Sequence, residues 1–293
     1  MLSFQVMTDS GCDLPKDLCD SRSILPLQLS YVIDDVIYPD TMDHKDMHHF
    51  YEEMRAGKEP GTSQITPQQF YDFWKAALEK SDLPIVHICL GSGISGTFNN
   101  GMTAKAMIEE DFPNAKIYLV DSLLASVGYG MMAIAAADMR DAGKTAEECV
   151  AYLNEYRHTI NTYYTTGDLT YLYRSGRVSK GGMVIAHALN IWPILNLDAE
   201  GHLIVTEKCK GKKKTVRRIE AIVEELCIAP EEQILYICHS DIEEEARAFG
   251  EGLKEKFGFK DVYYTYIGST IGAHSGPGLM AAFFAGKPRT MPK

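Results

Sequence analysis

Residues 84–97, PIVHICLGSGISGT, decide the fold of the first half of the chain. They begin with a short apolar run, 85–90, whose β-branched residues and flanking Pro and Gly predict a buried strand. A turn rich in glycine and hydroxyl side chains follows at 91–97, and a helical pattern continues to Asp111. Such a turn presents free backbone N–H groups and the positive end of the helix dipole. We therefore expect it to hold an anionic head group.

The composition is that of an ordinary globular protein, with 293 residues, 45% hydrophobic and 24% charged. The net charge of −11 disfavours a general nucleic-acid binder. No apolar stretch reaches the roughly 18 residues of a membrane span, and the N-terminus lacks the features of a signal peptide. The seven cysteines are scattered and form no C-x-x-C motif. These features predict a cytoplasmic protein without stable membrane insertion.

The order of the predicted elements indicates two domains of an α/β protein. Strand–helix units in the first half predict a doubly wound, mostly parallel sheet, interrupted by an alternating stretch around Asp34-Asp35. We interpret that stretch as a β-hairpin insertion, at about residues 24–42. After residue 160, hairpins mix with helices, which is typical of an α+β domain. The predicted domains are residues 1–159 and 160–293.

Polar residues also end the first predicted strand, where Asp9 and Asp13 lie in the sequence TDSGCDLP. Open α/β sheets bind ligands at the carboxyl ends of their strands, so this turn is a candidate binding element. Asp13 could equally cap the helix that follows it.

A second glycine-rich turn, residues 268–278, contains His274 and precedes residues 279–285, which we predict to be an apolar helix. A lone histidine is usually structural. The serine and glycines around His274, at a predicted helix start, favour a ligand-binding role instead.

Two other functions remain open on the residues alone. Gly91, Gly93 and Gly96 match the G-x-G-x-x-G pattern of a dinucleotide site, and Asp121 ends the next strand, so an oxidoreductase is the alternative. The motif is not on the first strand, however, and Asp121 lies further on than the usual spacing. Ser95 lacks the G-x-S-x-G frame of a hydrolase. We find no metal-ligand cluster, since His44 and His48 have no third ligand nearby.

Six short motifs follow one another along nearly the whole chain, namely Asp9-Ser10-x-x-Asp13-Leu14, Thr62-Ser63-Gln64, Ser92-Gly93-Ile94-Ser95-Gly96-Thr97, Val120-Asp121-Ser122, Ser175-Gly176-Arg177-Val178-Ser179 and Gly272-Ala273-His274-Ser275-Gly276-Pro277-Gly278. Together and in this order they resemble the motifs of the DegV family of bacterial proteins, which includes the fatty-acid-binding subunit of fatty acid kinase. Ser275 stands where the family commonly has Thr, which keeps the hydroxyl.

The resemblance implies a long-chain fatty acid between the two domains, and no cofactor. Its carboxylate would be held by Thr62, Ser95 and His274. The close neighbours of these residues would be Ser63, Gly96, Thr97 and Ser275.

Plausible lining residues for an acyl tunnel are apolar or glycine, although core packing explains each one singly as well. They are Gly128, Met131, Met183, Ile185, Ala186, Leu189 and Ile191, together with Gly130.

The resemblance also implies that the protein is not itself an enzyme. A separate ATP-dependent fatty acid kinase would phosphorylate the bound fatty acid, which agrees with the lack of a P-loop or kinase signature in this sequence. Arg177 and Arg174 would lie near the carboxylate and suit a phosphorylated head group or the kinase. The basic stretch at residues 208–218 could be a docking patch or simply a solvated surface.

Overall fold

The computed structural model describes residues 2–178 and 190–289. Within these ranges the chain forms three β-sheets, with helices packed on the two larger ones. The strands are β1 (Gln5–Asp9), β2 (Ile24–Leu27), β3 (Ser30–Ile33), β4 (Val36–Pro39), β5 (Gly61–Ser63), β6 (Ile85–Cys89), β7 (Ile117–Asp121), β8 (Ile160–Thr165), β9 (Ile191–Leu197), β10 (Leu203–Lys210), β11 (Ile234–His239), β12 (Asp261–Tyr266) and β13 (Met280–Ala285). The helices are α1 (Lys16–Ser21), α2 (Met47–Arg55), α3 (Pro67–Leu78), α4 (Thr97–Asp111), α5 (Val127–Asp141), α6 (Ala146–Thr159), α7 (Thr170–Arg174), α8 (Lys212–Leu226), α9 (Glu243–Phe257) and α10 (Ser269–Ser275).

The first sheet is fully parallel, in the order β2-β1-β6-β7. Successive side chains of a strand point to opposite faces of a sheet. Accordingly, Met7 and Ile85 pack with α3 and α4, whereas Val6 and Val86 pack with α5 and α6. Helices on both faces confirm the predicted doubly wound arrangement.

The predicted insertion is present, but it begins later than expected. Residues 24–27 form β2, which pairs in parallel with β1 and so belongs to the main sheet. The hairpin consists of β3 and β4, joined by Asp34 and Asp35, which both have positive φ angles, of 51° and 64°. A two-residue turn with both φ angles positive matches the twist of a hairpin. β5 adds the third strand, so the insertion forms a small antiparallel sheet.

The second sheet has the order β10-β9-β8-β13-β11-β12. All of its pairs are antiparallel except β11–β12. One face packs against α8 and α9. Residues of the other face, including Phe283 and Tyr164, share a hydrophobic core with α5 and α6 of the first domain.

The prediction for residues 279–285 was wrong. They form β13, the strand between β8 and β11, and not a helix. The run Met280–Ala285 is apolar at every position, and such a run fits a buried strand as well as a buried helix. The glycine-rich turn before it contains the short helix α10, so His274 lies in the last turn of a helix and not at a helix start.

Capping residues in the sequence mark the start of two helices. Thr66 and Gln69 form a capping box at the start of α3, and Thr145 and Glu148 form another at α6. The apolar stretch 123–142 predicts a helix from Leu123, but the helix begins only at Val127, because the preceding residues form a loop in which Ser126 has a φ of 56°. The apolar stretch 182–190 also predicts a helix, and it lies almost wholly outside the described residues.

We predict that Phe283→Ala lowers the free energy of unfolding by roughly 3–5 kcal/mol, because its ring is fully buried where the two sheets share their core. The ring packs edge-on to Tyr164, with centroids 5.5 Å apart. Urea denaturation measures the loss. The control Met102→Ala, at a side chain that is 46% exposed on α4, should change stability by less than about 0.5 kcal/mol. A loss below about 1 kcal/mol for Phe283→Ala would contradict the shared core.

Candidate functional site

The candidate site lies where the carboxyl ends of the parallel strands meet the second domain. The turns after β1, β6 and β7 contain the predicted polar residues, and α10 packs against the turn after β1. In open parallel sheets this edge is the usual place for a ligand.

Thr62 and His274 come together at this edge although they are 212 positions apart in the sequence. Thr62 lies on β5, and its Oγ1 is 2.7 Å from Nε2 of His274 on α10. Ser63 is the next residue of the strand and therefore points to the opposite face, where its exposed hydroxyl is 2.8 Å from that of Ser30. The structure thus pairs Thr62 with His274 and places Ser63 away from them.

The turn between β6 and α4 is ordered by its own hydroxyls. The backbone N–H of Thr97 donates to Ser95 Oγ over 3.2 Å, and the hydroxyls of these two residues are 3.0 Å apart. Gly96 is the N-cap of α4, and a Cβ there would lie 2.7 Å from Oε1 of Gln64. Gln64 is two residues beyond Thr62, so β5 links this turn to the residue that contacts His274.

Two glycines of the G-x-G-x-x-G match are required by backbone contacts within the chain, whereas a Cβ at Gly96 would meet only the flexible end of the Gln64 side chain. A Cβ at Gly91 would lie 2.7 Å from the backbone N of Leu124. A Cβ at Gly93 would lie 2.5 Å from the backbone O of Glu200, in the β9–β10 turn. Asp121, the residue that would bind a ribose, already accepts hydrogen bonds from the backbone N–H groups of Ser92 and Leu123, over 3.0 and 3.2 Å. The structure therefore does not favour a dinucleotide site here.

A cavity of about 50 Å³ lies between the two domains beside this site. Ser275 is on its wall, is 4% exposed, and its Oγ has no hydrogen-bond partner in the described part of the chain. A buried hydroxyl without a partner is destabilising, which makes Ser275 a candidate ligand contact. The lining residues are Ile94, Ala125, Ser126, Tyr164, Leu172, Arg177, Leu203, Ile267, Ile271, His274, Ser275 and Leu279.

The charge on this cavity wall comes from Arg177 and not from His274. Burial, with a smaller effect of the nearby Arg177 guanidinium, lowers the pKa of His274 to about 4, so the imidazole is neutral at pH 7. Arg177 donates to the backbone O of Ser175 over 2.6 Å, and no salt bridge of the described residues includes it. Arg174 instead points away, pairs with Glu59 and is 44% exposed.

A family model described as an uncharacterised protein, DegV family, matches residues 3–287 of the chain. The chain belongs to the DegV family. A DegV domain-containing protein of Clostridium perfringens is 34% identical to it over 287 residues, which is 98% of either chain.

Solved structures of DegV proteins have the same fold as this chain. DegV of Bacillus subtilis, described as a fatty acid binding protein, superposes with a TM-score of 0.84 at 28% identity, over 98% of this chain and 100% of its own. A DegV family protein of Thermus thermophilus, described as binding fatty acid, superposes with a TM-score of 0.83 at 26% identity, over 97% of this chain and 100% of its own. These likenesses confirm the mixed α/β fold and are consistent with the two-domain layout.

Four of the predicted tunnel residues of this DegV chain are described, and none of them lines the cavity. Gly128 packs beside Phe283 and Gly130 beside Leu14, Met131 is buried in the core, and Ile191 packs against that core at the start of β9. The sequence did not indicate the apolar residues that do line the cavity, because they come from separate elements of both domains. Met183, Ile185, Ala186 and Leu189 lie outside the described residues.

The sequence also did not indicate that three aspartates of this DegV chain are buried and accept hydrogen bonds from distant elements. Asp9, Asp13 and Asp40 are each at most 4% exposed. Asp13 does not cap α1, whose N-cap is Pro15; its side chain accepts hydrogen bonds from Ser126 and Gly268 instead. Burial raises the pKa of Asp9 to about 6. The spacing Asp9-Ser10-x-x-Asp13 was the available signal, whereas nothing in the sequence marked Asp40.

The structure gathers one group of possible metal ligands within the described residues, Asp198, Glu200 and His202 in the β9–β10 turn. Asp198 Oδ1 already accepts from the backbone N–H groups of Glu200 and His202, over 3.0 and 2.8 Å. These hydrogen bonds explain the cluster as a polar turn. His48, which the sequence did not favour as a metal ligand, is exposed and has its Nδ1 2.9 Å from Oδ1 of Asp241.

The basic stretch at residues 208–218 covers the end of β10 and the first two turns of α8. Lys212 pairs with Glu245, and Arg218 pairs with Glu207 at 2.7 Å. None of its residues lines the cavity. Among the described helices, none combines the length and the apolar character needed to cross a bilayer.

We predict that Gly93→Ala lowers the free energy of unfolding by roughly 1–3 kcal/mol, because a Cβ there overlaps the β9–β10 turn. Urea denaturation tests this. Gly252→Ala is the matched control: it lies on α9 with nothing within 4 Å of the added Cβ and should raise stability by about 0.5–1 kcal/mol. If the Gly93→Ala variant were as stable as the wild type, the β9–β10 turn would not pack against the glycine-rich turn after β6.

Proposed function

We propose that this protein is a fatty-acid-binding carrier that holds a long-chain fatty acid between its domains, residues 1–159 and 160–293. The observation that supports this most is the cavity between the two sheets, which is apolar over most of its wall and carries Ser275, His274 and Arg177 on it. That combination suits an amphipathic ligand with one anionic end. The fatty-acid binding described for the Bacillus subtilis relative supports the same ligand class.

The carboxylate would be held by hydroxyls and N–H groups, with its charge balanced by Arg177. Thr62 and His274 already lie within hydrogen-bonding distance of each other, and Ser275 Oγ has no partner among the described residues. Ser95 and Thr97 lie at the N-terminus of α4, where the helix dipole favours an anion, and Gly96 is its N-cap. Ser63 has a weaker place in this proposal, because its hydroxyl faces Ser30.

The acyl chain would occupy the apolar part of the cavity. The present volume of about 50 Å³ is small beside the roughly 300 Å³ or more of a typical ligand pocket. Binding therefore requires lining side chains such as Leu172, Leu203 and Ile271 to move apart. The tunnel residues proposed from the sequence, Gly128, Met131 and Ile191, would contribute by backing these side chains.

We also propose that the protein has no catalytic activity of its own and works in the cytoplasm. It would present its fatty acid to a separate ATP-dependent fatty acid kinase. The sequence supports this division of labour, because it contains neither a P-loop nor a kinase signature. Arg177, on the cavity wall, would contact the phosphorylated head group, and exposed Arg174 would contact the kinase.

We predict that an organic extract of the purified protein contains a long-chain fatty acid in a stoichiometric amount, measured by mass spectrometry. After delipidation, Ser95→Ala and His274→Ala should each weaken binding of a fluorescent fatty acid about tenfold, because each change removes a hydrogen bond of about 1.4 kcal/mol. Thr103→Ala is the control, since this hydroxyl donates to Asn99 O within α4. Full retention by the Ser95→Ala/His274→Ala double variant would refute the proposed head-group site.

We predict that binding is coupled to proton uptake by His274. A carboxylate close to the imidazole favours its charged form, so its pKa should rise on binding from about 4 by about two units. Because the complex then binds more protons than the free protein, affinity should increase about fourfold between pH 7.5 and 5.5. Calorimetry in buffers of different ionisation enthalpy measures the uptake. His274→Gln should abolish this part of the pH dependence. If the variant kept the pH profile of the wild type, a contact between His274 and the fatty-acid carboxylate would be contradicted.

A further inference from the structure

The helix that carries His274 lacks a cap of its own. α10 spans only Ser269–Ser275, and its N-cap residue, Gly268, has no side chain. The first N–H groups of a helix have no partner within the helix and need acceptors from elsewhere. Here the acceptors come from the other domain.

Asp13 supplies the first of these acceptors. Its Oδ1 accepts the backbone N–H of Gly268 over 2.9 Å, and its other carboxylate oxygen accepts the hydroxyl of Ser126. Its backbone O accepts the Thr265 hydroxyl over 2.7 Å. One residue of the β1 turn therefore holds both the end of β12 and the start of α10.

Asp40, in the chain that follows β4, holds the same helix start through a side-chain hydroxyl and not through a backbone N–H. Its Oδ2 accepts the hydroxyl of Thr270 over 2.7 Å, and its Oδ1 accepts the backbone N–H of Met42 over 3.4 Å. The carboxyl group is 1% exposed. Thr270 and His274 are four positions apart, which places them on the same face of the helix.

Neither carboxylate has a cationic partner in the ion pairs of the described residues, in which Asp13 and Asp40 do not take part. Burial raises the pKa of both carboxyl groups. Burying a carboxyl group without a counter-charge costs folding free energy whether the group is charged or protonated, so stability alone does not explain two of them at one helix start. Destabilising features of this kind, such as buried carboxyl groups without a cationic partner, are expected at functional sites.

The middle of α10 also packs closely against α2, so a displacement of the start of the helix would displace its last turn as well. A Cβ at Gly272 would overlap the hydroxyl of Tyr51, and that hydroxyl donates to the backbone O of Ile267 over 2.7 Å. The helix therefore has little room to slide along α2.

We infer that Asp13 and Asp40 are positioning residues of the head-group site: they fix the start of α10 and thereby the places of His274 and Ser275. This inference rests on the proposed function for its binding readout. The position of His274 itself can be measured without any ligand.

The test uses Thr270→Val, which keeps the shape of the side chain and removes the hydrogen bond to Asp40. Delipidated protein should bind the fluorescent cis-parinaric acid about tenfold more weakly, whereas Thr270→Ser should restore affinity to within about twofold. Asp13→Ala should weaken binding in the same way. Thr215→Val is the control, since this buried hydroxyl, on α8, bonds to backbone O atoms of Trp192 and Gly211.

A second readout separates positioning from general stability. The ring ¹⁵N and ¹³C resonances of His274, assigned with a His274→Gln variant, should shift in Thr270→Val and Asp13→Ala but not in Thr215→Val. Lower thermal stability with unmoved His274 resonances and wild-type affinity would overturn the inference. If the wild type itself binds no fatty acid, the proposed function fails, and the His274 resonances alone decide the role of the two aspartates.

Discussion

The structure depends on the packing of the second sheet against α5 and α6 of the first domain. Phe283, on the central strand β13, and Tyr164 on β8 join the core that also contains Val6 and Val86 of the parallel sheet. Because this core is continuous, the carboxyl ends of the parallel strands face α10 at a fixed distance. The same packing leaves a small cavity between the domains, at the only side of the parallel sheet where open α/β proteins bind ligands.

The three glycines of the G-x-G-x-x-G match lie close to other segments of the chain. Gly91 lies against the loop after β7, Gly93 against the β9–β10 turn and Gly96 against Gln64. At Gly91 and Gly93, a pattern that resembles a dinucleotide fingerprint therefore has a different physical cause, namely close approach of another backbone segment without room for a Cβ. Beside these glycines, the hydroxyls of Ser95 and Thr97 order the turn by hydrogen-bonding to each other, and Ser95 Oγ accepts the backbone N–H of Thr97.

Burial determines which side chains on the cavity wall carry a charge. His274 is neutral at pH 7 because burial and Arg177 lower its pKa to about 4, so the positive charge on the cavity wall comes from Arg177. At the N-terminal end of α10, Asp13 accepts the backbone N–H of Gly268 and Asp40 accepts the hydroxyl of Thr270. This short helix thus carries His274 and Ser275 in its last turn and is held by two carboxyl groups at its start.

The sequence by itself determined the elements that depend on neighbouring residues. The capping boxes at Thr66 and Thr145, the hairpin turn at Asp34-Asp35 and the strand before the glycine turn follow from local backbone rules. Short motifs also marked candidate site residues in both domains. Only the tertiary structure decided that Met280–Ala285 is a strand, since an unbroken apolar run has no period, and that Thr62 meets His274. Asp40 and the cavity walls were equally undecided by sequence, because their partners lie on distant elements that only packing brings together.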